Sequence, residues 1–210
     1  MENSNIKIIN PYIKTYLVGP MEKTLANDSG RGWRDKIRPE LENRIDINEN
    51  PIYVFDPTRE EQSKVGMEAK EFHKKMHGWI EGGNKEQIIE GTNLIWRGKT
   101  YQEPLPGSTS EARLVHLMGD IDYVLNSDFI ICRMEEGDQP CGTHGEVYEA
   151  FKNRIPVYII QTMTRDKYPV TFVGWVFASG GGFFDNPTQL LEFLDRTYKL
   201  KVKKEEKPKE

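Results

Sequence analysis

Residues 128–160 read DFIICRM (128–134), EEGDQPCGTHGE (135–146), VYEAFKNR (147–154) and IPVYII (155–160). An apolar run of strand length passes through a polar, Gly-containing loop into a helical segment. A second β-rich run follows at Pro156, so the stretch is a strand–loop–helix–strand unit. Such a unit closes as one right-handed parallel crossover. In open parallel sheets the ligand crevice lies outside the carboxyl ends of the strands. The loop from Glu135 to Glu146 therefore stands where chemistry is expected, with Glu146 at its mouth.

The same rhythm extends in both directions. TYLVGP (15–20) is a β-rich run stopped by Gly19-Pro20, and PIYVFDP (51–57) is a second run with Asp56 at its carboxyl end. Between them Trp33, Ile37, Leu41 and Ile45 recur at helical spacing over Arg31–Arg44. A charged surface helix is expected from Thr58 to about His77, with a narrow stripe of Val65, Phe72, Met76 and Trp79. Ser110-Glu111 restarts a helix carrying Leu114, Leu117, Ile121 and Leu125, and VTFVGWVFA (170–178) is the last strand candidate. Asn186-Pro187 caps a final helix. The expected fold is α/β: a three-layer, flavodoxin-like or Rossmann-like domain with a five-stranded parallel sheet in the order 2-1-3-4-5. It spans residues 15–198, between an N-terminal arm (1–14) and a charged tail (199–210) expected to be disordered. Residues 80–110, with Trp96, Tyr101 and two prolines, interrupt the pattern as an insert that suits a lid or an oligomer contact.

With 210 residues the chain can bury a core without staples, and its formal net charge of −4 leaves no electrostatic footprint for duplex nucleic acid or an anionic membrane. No apolar run approaches the roughly 18 residues of a membrane helix. Two cysteines make no disulfide framework and the first residues lack the pattern of a secretory signal, so a cytoplasmic protein is expected. The partner is then a small molecule.

Glu146 lies in GTHGE, where Gly142 and Gly145 allow close approach to the backbone and Thr143 stands three residues before the carboxylate. That spacing alone is a capping box. Chemistry is favoured by position, because Asp56, Asp120 and Asp138 are expected to converge on the same crevice. Paired carboxylates suit glycosidic cleavage, one attacking the anomeric carbon while another handles the leaving group's proton. Cys141 and His144, three apart across a loop–helix junction, make a poor nucleophile–base pair. GxSxG, GxxxxGK[ST] and GxGxxG are absent. His73 and His77 have zinc-compatible spacing without HExxH or an obvious third ligand, so neither a metal nor another cofactor is expected. Arg31 and Arg34, at a helix start, would favour an anion. On the residues alone, solvation of the helix start is the preferred reading of that pair.

Taken together, Tyr16-Leu17-Val18-Gly19-Pro20, the run from Asp120 to Asp128, Gly142-Thr143-His144-Gly145-Glu146 through Ala150, and Ile155-Pro156-Val157 resemble the nucleoside 2-deoxyribosyltransferase family, in its order, over residues 15–160. The resemblance implies a flavodoxin-like homo-oligomer, a dimer or larger, that takes a nucleoside or nucleotide. It implies cleavage of the N-glycosidic bond of a 2′-deoxynucleoside through a glutamate nucleophile, with the deoxyribosyl group passed to another base or to water. Glu146 matches the nucleophile, Tyr16 the tyrosine that holds it and Asp120 the aspartate beside the leaving base. Gly19 and Pro20 match the turn that shapes the sugar pocket.

The chain also departs from the family pattern. Classical members carry an aspartate six residues before the nucleophile, where this chain has Pro140, and Asp138 is out of register. They take an asparagine from a neighbouring subunit, where the segment after Trp175 offers Ser179 and glycines. A related branch hydrolyses nucleoside 5′-monophosphates and uses small hydroxyl residues with a Gly/Arg-rich first loop, which Ser29-Gly30-Arg31-Gly32 resembles. The expected substrate contacts are Gly19, Pro20, Arg31, Asp56, Asp138, Gly142, Thr143 and Ser179. Hydrolysis of a monophosphate, or a nucleotide-binding sensor without chemistry, are the alternatives.

Overall fold

The strands organise around alternation. In β1 (Lys14–Val18), Tyr16 and Val18 face one side of a parallel sheet while Leu17 faces the other. β6 (Phe129–Arg133) sends Ile130 and Cys132 one way and Phe129 and Ile131 the other. β7 (Val157–Ile160) does the same with Val157 and Ile159 against Tyr158 and Ile160. Strands buried on both faces read as unbroken apolar runs, which is why these stretches lack polar alternation. Each fully buried Leu, Ile or Phe contributes about 1.5–3 kcal/mol of burial.

A computed structural model describes residues 12–20, 31–59, 69–104, 112–138 and 141–203. With β3 (Tyr53–Phe55) and β8 (Gly182–Phe184), the sheet has five parallel strands in the order β3-β1-β6-β7-β8. In chain order of the sheet strands this is 2-1-3-4-5, the flavodoxin-like arrangement. Helices α4 (Asp120–Leu125), α5 (Cys141–Lys152) and α6 (Val170–Ala178) cover the face bearing Tyr16 and Cys132. Helices α1 (Arg31–Glu42) and α7 (Pro187–Thr197) cover the face bearing Leu17 and Ile131. The result is three layers.

Three sequence expectations are corrected. VTFVGWVFA is helix α6, burying Phe172 and Val176 one turn apart and leaving Val170 exposed, and the fifth strand is Gly182–Phe184. Only residues 161–169 separate β7 from this stretch, too few for a parallel crossover of a dozen or more residues, so it must itself be the crossover. Topology overrides β-propensity there. Second, Leu114 and Leu117 lie in β5 (Ala112–Leu117), which pairs antiparallel with β4 (Lys99–Pro104), and the helix starts only at Asp120. Leu114 is exposed, so the leucine spacing reflects no buried stripe.

Third, Ile45 belongs to a two-residue strand, β2 (Arg44–Ile45), paired with β9 (Lys201–Val202). Leu200 is buried, so the tail is docked at least to residue 202, whereas 204–210 lie outside the described residues. Of the charged helix expected from Thr58, residues 57–59 are helical, 60–68 with Val65 lie outside the described residues, and α2 (Ala69–Glu81) carries Phe72 buried. The insert carries regular structure, with α3 (Lys85–Arg97) leading into the β4–β5 hairpin. The N-terminal arm to residue 11 and the loop containing Ser29 and Gly30 lie outside the described residues.

Candidate functional site

Tyr16 sits in the middle of β1, paired with Phe55 of β3 and Ile130 of β6, and no part of it reaches solvent. Its ring stacks on Tyr123 of α4 with centroids 5.5 Å apart, and Tyr123 in turn packs 4.8 Å from Phe55. Thus held, the Tyr16 hydroxyl donates a 2.8 Å hydrogen bond to Oε1 of Glu146, a residue 130 positions away in the chain.

Glu146 is buried in the second turn of α5. The capping-box reading fails on this geometry: the helix already begins at Cys141, so Thr143 is inside it and Glu146 turns inward to β1. Thr143 is buried and its hydroxyl has no hydrogen-bond partner among the described residues. Gly142 is exposed on the same first turn.

Of the two aspartates on α4, the structure separates a cap from an inward carboxylate. Asp122 accepts from the Gly119 amide and lies 2.8 Å from Nε2 of His116, closing the N-terminus of the helix. Asp120, the first residue of α4, is buried. Burial, then the charges of Asp120 and Glu146, push the Tyr16 hydroxyl well above its ordinary titration range, so it remains a proton donor. Three side chains from β1, α4 and α5 therefore share one electrostatic environment.

A buried cation balances it. Arg34 on α1 is fully buried, and its Nη2 donates to the Gly19 carbonyl at 2.8 Å and its Nε to the Leu17 carbonyl at 3.3 Å. Gly19 and Pro20 are buried, and a Cβ at Gly19 would come within 2.6 Å of the Arg133 carbonyl, so only glycine fits that turn. Desolvation lowers the pKa of Arg34, while the charges of Asp56, Tyr16 and Glu146 oppose that shift. Sequence reasoning placed Arg34 only at a solvated helix start. The signal that could have found it is its position three and seven residues before Ile37 and Leu41, on the apolar stripe of α1.

The remaining candidates are spread over several elements. Asp56 is fully buried at the carboxyl end of β3, where Oδ1 accepts from the amide and hydroxyl of Thr58 and lies 3.9 Å from Nε of Arg34. It anchors the guanidinium. Asp138 closes its own turn by accepting from the Glu135 amide at 2.7 Å. Arg31 is exposed at the first residue of α1. Ser179 is not brought to the crevice. Its hydroxyl accepts from the Val157 amide and donates to the Val176 carbonyl, at the amino end of β7 and so at the opposite edge of the sheet. A cavity of about 300 Å³ opens between α1 and α7, lined by residues that include Trp33, Arg133 and Asp185. It is on the other face of the sheet and touches none of Tyr16, Asp120 or Glu146.

His144, beside the site on α5, packs edge-on against Phe172 with centroids 5.3 Å apart, and its Nε2 is buried without a hydrogen-bond partner among the described residues. Burial lowers its pKa below the ordinary 6.5. The unfolded chain then binds the extra proton first as pH falls, so this contribution to stability is present above about 6.5 and declines below it. Thermal melts between pH 7 and 5 should show a loss of stability in the wild type that His144→Phe reduces. An unchanged pH slope in that variant would remove His144 from the account.

Chemically, a buried carboxylate that accepts from a neutral hydroxyl, with a second buried carboxylate nearby, suits attack on an electron-poor carbon with proton transfer to a leaving group. No known protein-family model matches the chain, and a search of curated proteins finds no match.

Proposed function

We propose that the chain cleaves the N-glycosidic bond of a 2′-deoxynucleoside and transfers the deoxyribosyl group to another base, with Glu146 as nucleophile. The observation that carries this reading is the buried Tyr16–Glu146 hydrogen bond, which joins β1 to α5. It supports the roles that the family resemblance implies. In the first step a carboxylate oxygen of Glu146 attacks C1′, the C1′–N bond breaks with its electrons passing to the base, and protonated Asp120 supplies the proton to that nitrogen. In the second, the nitrogen of an acceptor base attacks C1′, releases the Glu146 carboxylate and returns a proton to Asp120. Tyr16 orients the carboxylate through a neutral hydroxyl, which adds no positive charge to the nucleophile. Two free thiols, one of them exposed, suit a reducing cytoplasmic setting.

Tyr16→Phe keeps the ring stack and deletes the donor. Losing one hydrogen bond to a charged group should lower kcat about ten- to a hundredfold with little change in KM. Wild-type kcat in that variant would relegate the tyrosine to packing.

The activity itself is tested by chromatography of free base, using deoxynucleosides and their 5′-monophosphates with and without an acceptor base. Exchange products that outrun free sugar are expected. Release from monophosphates alone would replace transfer by hydrolysis of a nucleotide, and no release from any substrate would leave a nucleotide-binding role without chemistry.

A further inference from the structure

At Trp96 the insert meets the helices that carry the site. Trp96 is the penultimate residue of α3, outside the five-stranded core, and it is wedged between the two elements that carry the carboxylates. Its backbone crosses Gly119, the residue before Asp120: a Cβ at Gly119 would lie 2.5 Å from the Trp96 carbonyl carbon and oxygen. Its benzo edge meets Gly145, the residue before Glu146: a Cβ there would lie 2.5 Å from Cη2 and 3.1 Å from Cζ3 of the indole. Gly142, one turn earlier on α5, looks toward the same ring from 4.0 Å. These glycines are sockets for the tryptophan.

The ring atoms that approach Gly145 and Gly142 are Cη2, Cζ3 and Cζ2, all on the benzo edge of the indole. Trp96 is only half-buried, and no aromatic ring among the described residues stacks on it. A substrate attacked at C1′ by Glu146 and protonated on its base by Asp120 must hold that base between the two carboxylates. Trp96 touches the residue before each of them, Gly119 with its backbone and Gly145 with its indole.

We propose that Trp96 is the surface on which the base of the substrate stacks, which makes it a specificity-determining residue for the glycosidic cleavage proposed above, on which this inference rests. Every base presents a π-face, and removing an aromatic platform weakens binding about tenfold to a hundredfold per base. A purine, with the larger face, has more to lose than a pyrimidine.

The test compares Trp96→Ala and Trp96→Phe by base release from matched purine and pyrimidine deoxynucleosides, with circular dichroism and melting to verify the fold. Trp96→Ala should raise KM about tenfold to a hundredfold, with kcat within a few-fold of wild type and the larger penalty on purines. Trp96→Phe should recover most of the loss. A fall in kcat at unchanged KM, or equal penalties on both base classes accompanied by lost stability, would overturn the inference and leave Trp96 as packing for the insert. Titration of indole fluorescence with a purine deoxynucleoside decides the point independently of turnover. Quenching in the wild type that is absent from Trp96→Phe supports stacking, and identical titrations overturn it. If the wild type releases no base while the quenching difference is seen, the glycosidic reading has failed and the stacking contact stands.

Discussion

Glu146→Gln is expected to lower base release on the order of 10⁴-fold or more while the protein melts as the wild type does. The amide keeps the shape of the side chain and can still accept from the Tyr16 hydroxyl at the 2.8 Å position of Oε1. What it loses is the negative charge needed to attack C1′ and to stabilise an oxocarbenium-like sugar. Replacing a buried charge by a neutral isostere removes a desolvation penalty, so stability should hold or rise. The measurement is single-turnover release of free base beside a denaturation curve. Turnover within tenfold of wild type would exclude Glu146 as the nucleophile.

Arg34→Ala is expected to cost about 3–5 kcal/mol of folding stability, the range for breaking a buried ion pair from one side. The substitution leaves the Leu17 and Gly19 carbonyls without their donor and strips Asp56, fully buried, of the guanidinium 3.9 Å away. It also removes the cation placed 4.9 Å from the Trp33 ring centroid. Because the same guanidinium fixes the turn after β1, activity should fall with stability. Arg34→Lys should recover only part, since an ammonium cannot reproduce the fork that spans both carbonyls. Urea denaturation at constant m-value reads the effect, and a loss below about 1 kcal/mol would contradict the role given to Arg34.

The layered fold was legible because parallel strands buried on both faces leave unmistakable apolar runs, as at 129–133 and 157–160. The errors came where local pattern and topology disagree. VTFVGWVFA is rich in β-formers, yet its place after β7 obliges it to be the crossover. Leucines at 114 and 117 mimic helical spacing but belong to a strand that pairs antiparallel with β4. For the site, the strand–loop–helix reading placed Glu146 at the crevice, and the motif order singled out Tyr16 and Asp120. Nothing local could show that Ser179 ends at the opposite edge, because that depends on where the fifth strand falls. Trp96 was equally out of reach: its contact with Gly145 joins an insert to the core, and no periodicity encodes such a contact.

Glu146 as nucleophile requires a covalent bond between its carboxylate and the sugar. Intact-protein and peptide mass spectrometry after rapid quenching with a 2′-deoxynucleoside should find one deoxyribosyl unit added, located on the peptide containing Glu146 and discharged by an acceptor base. Base release with no adduct at Glu146, or with the adduct on another residue, would contradict it.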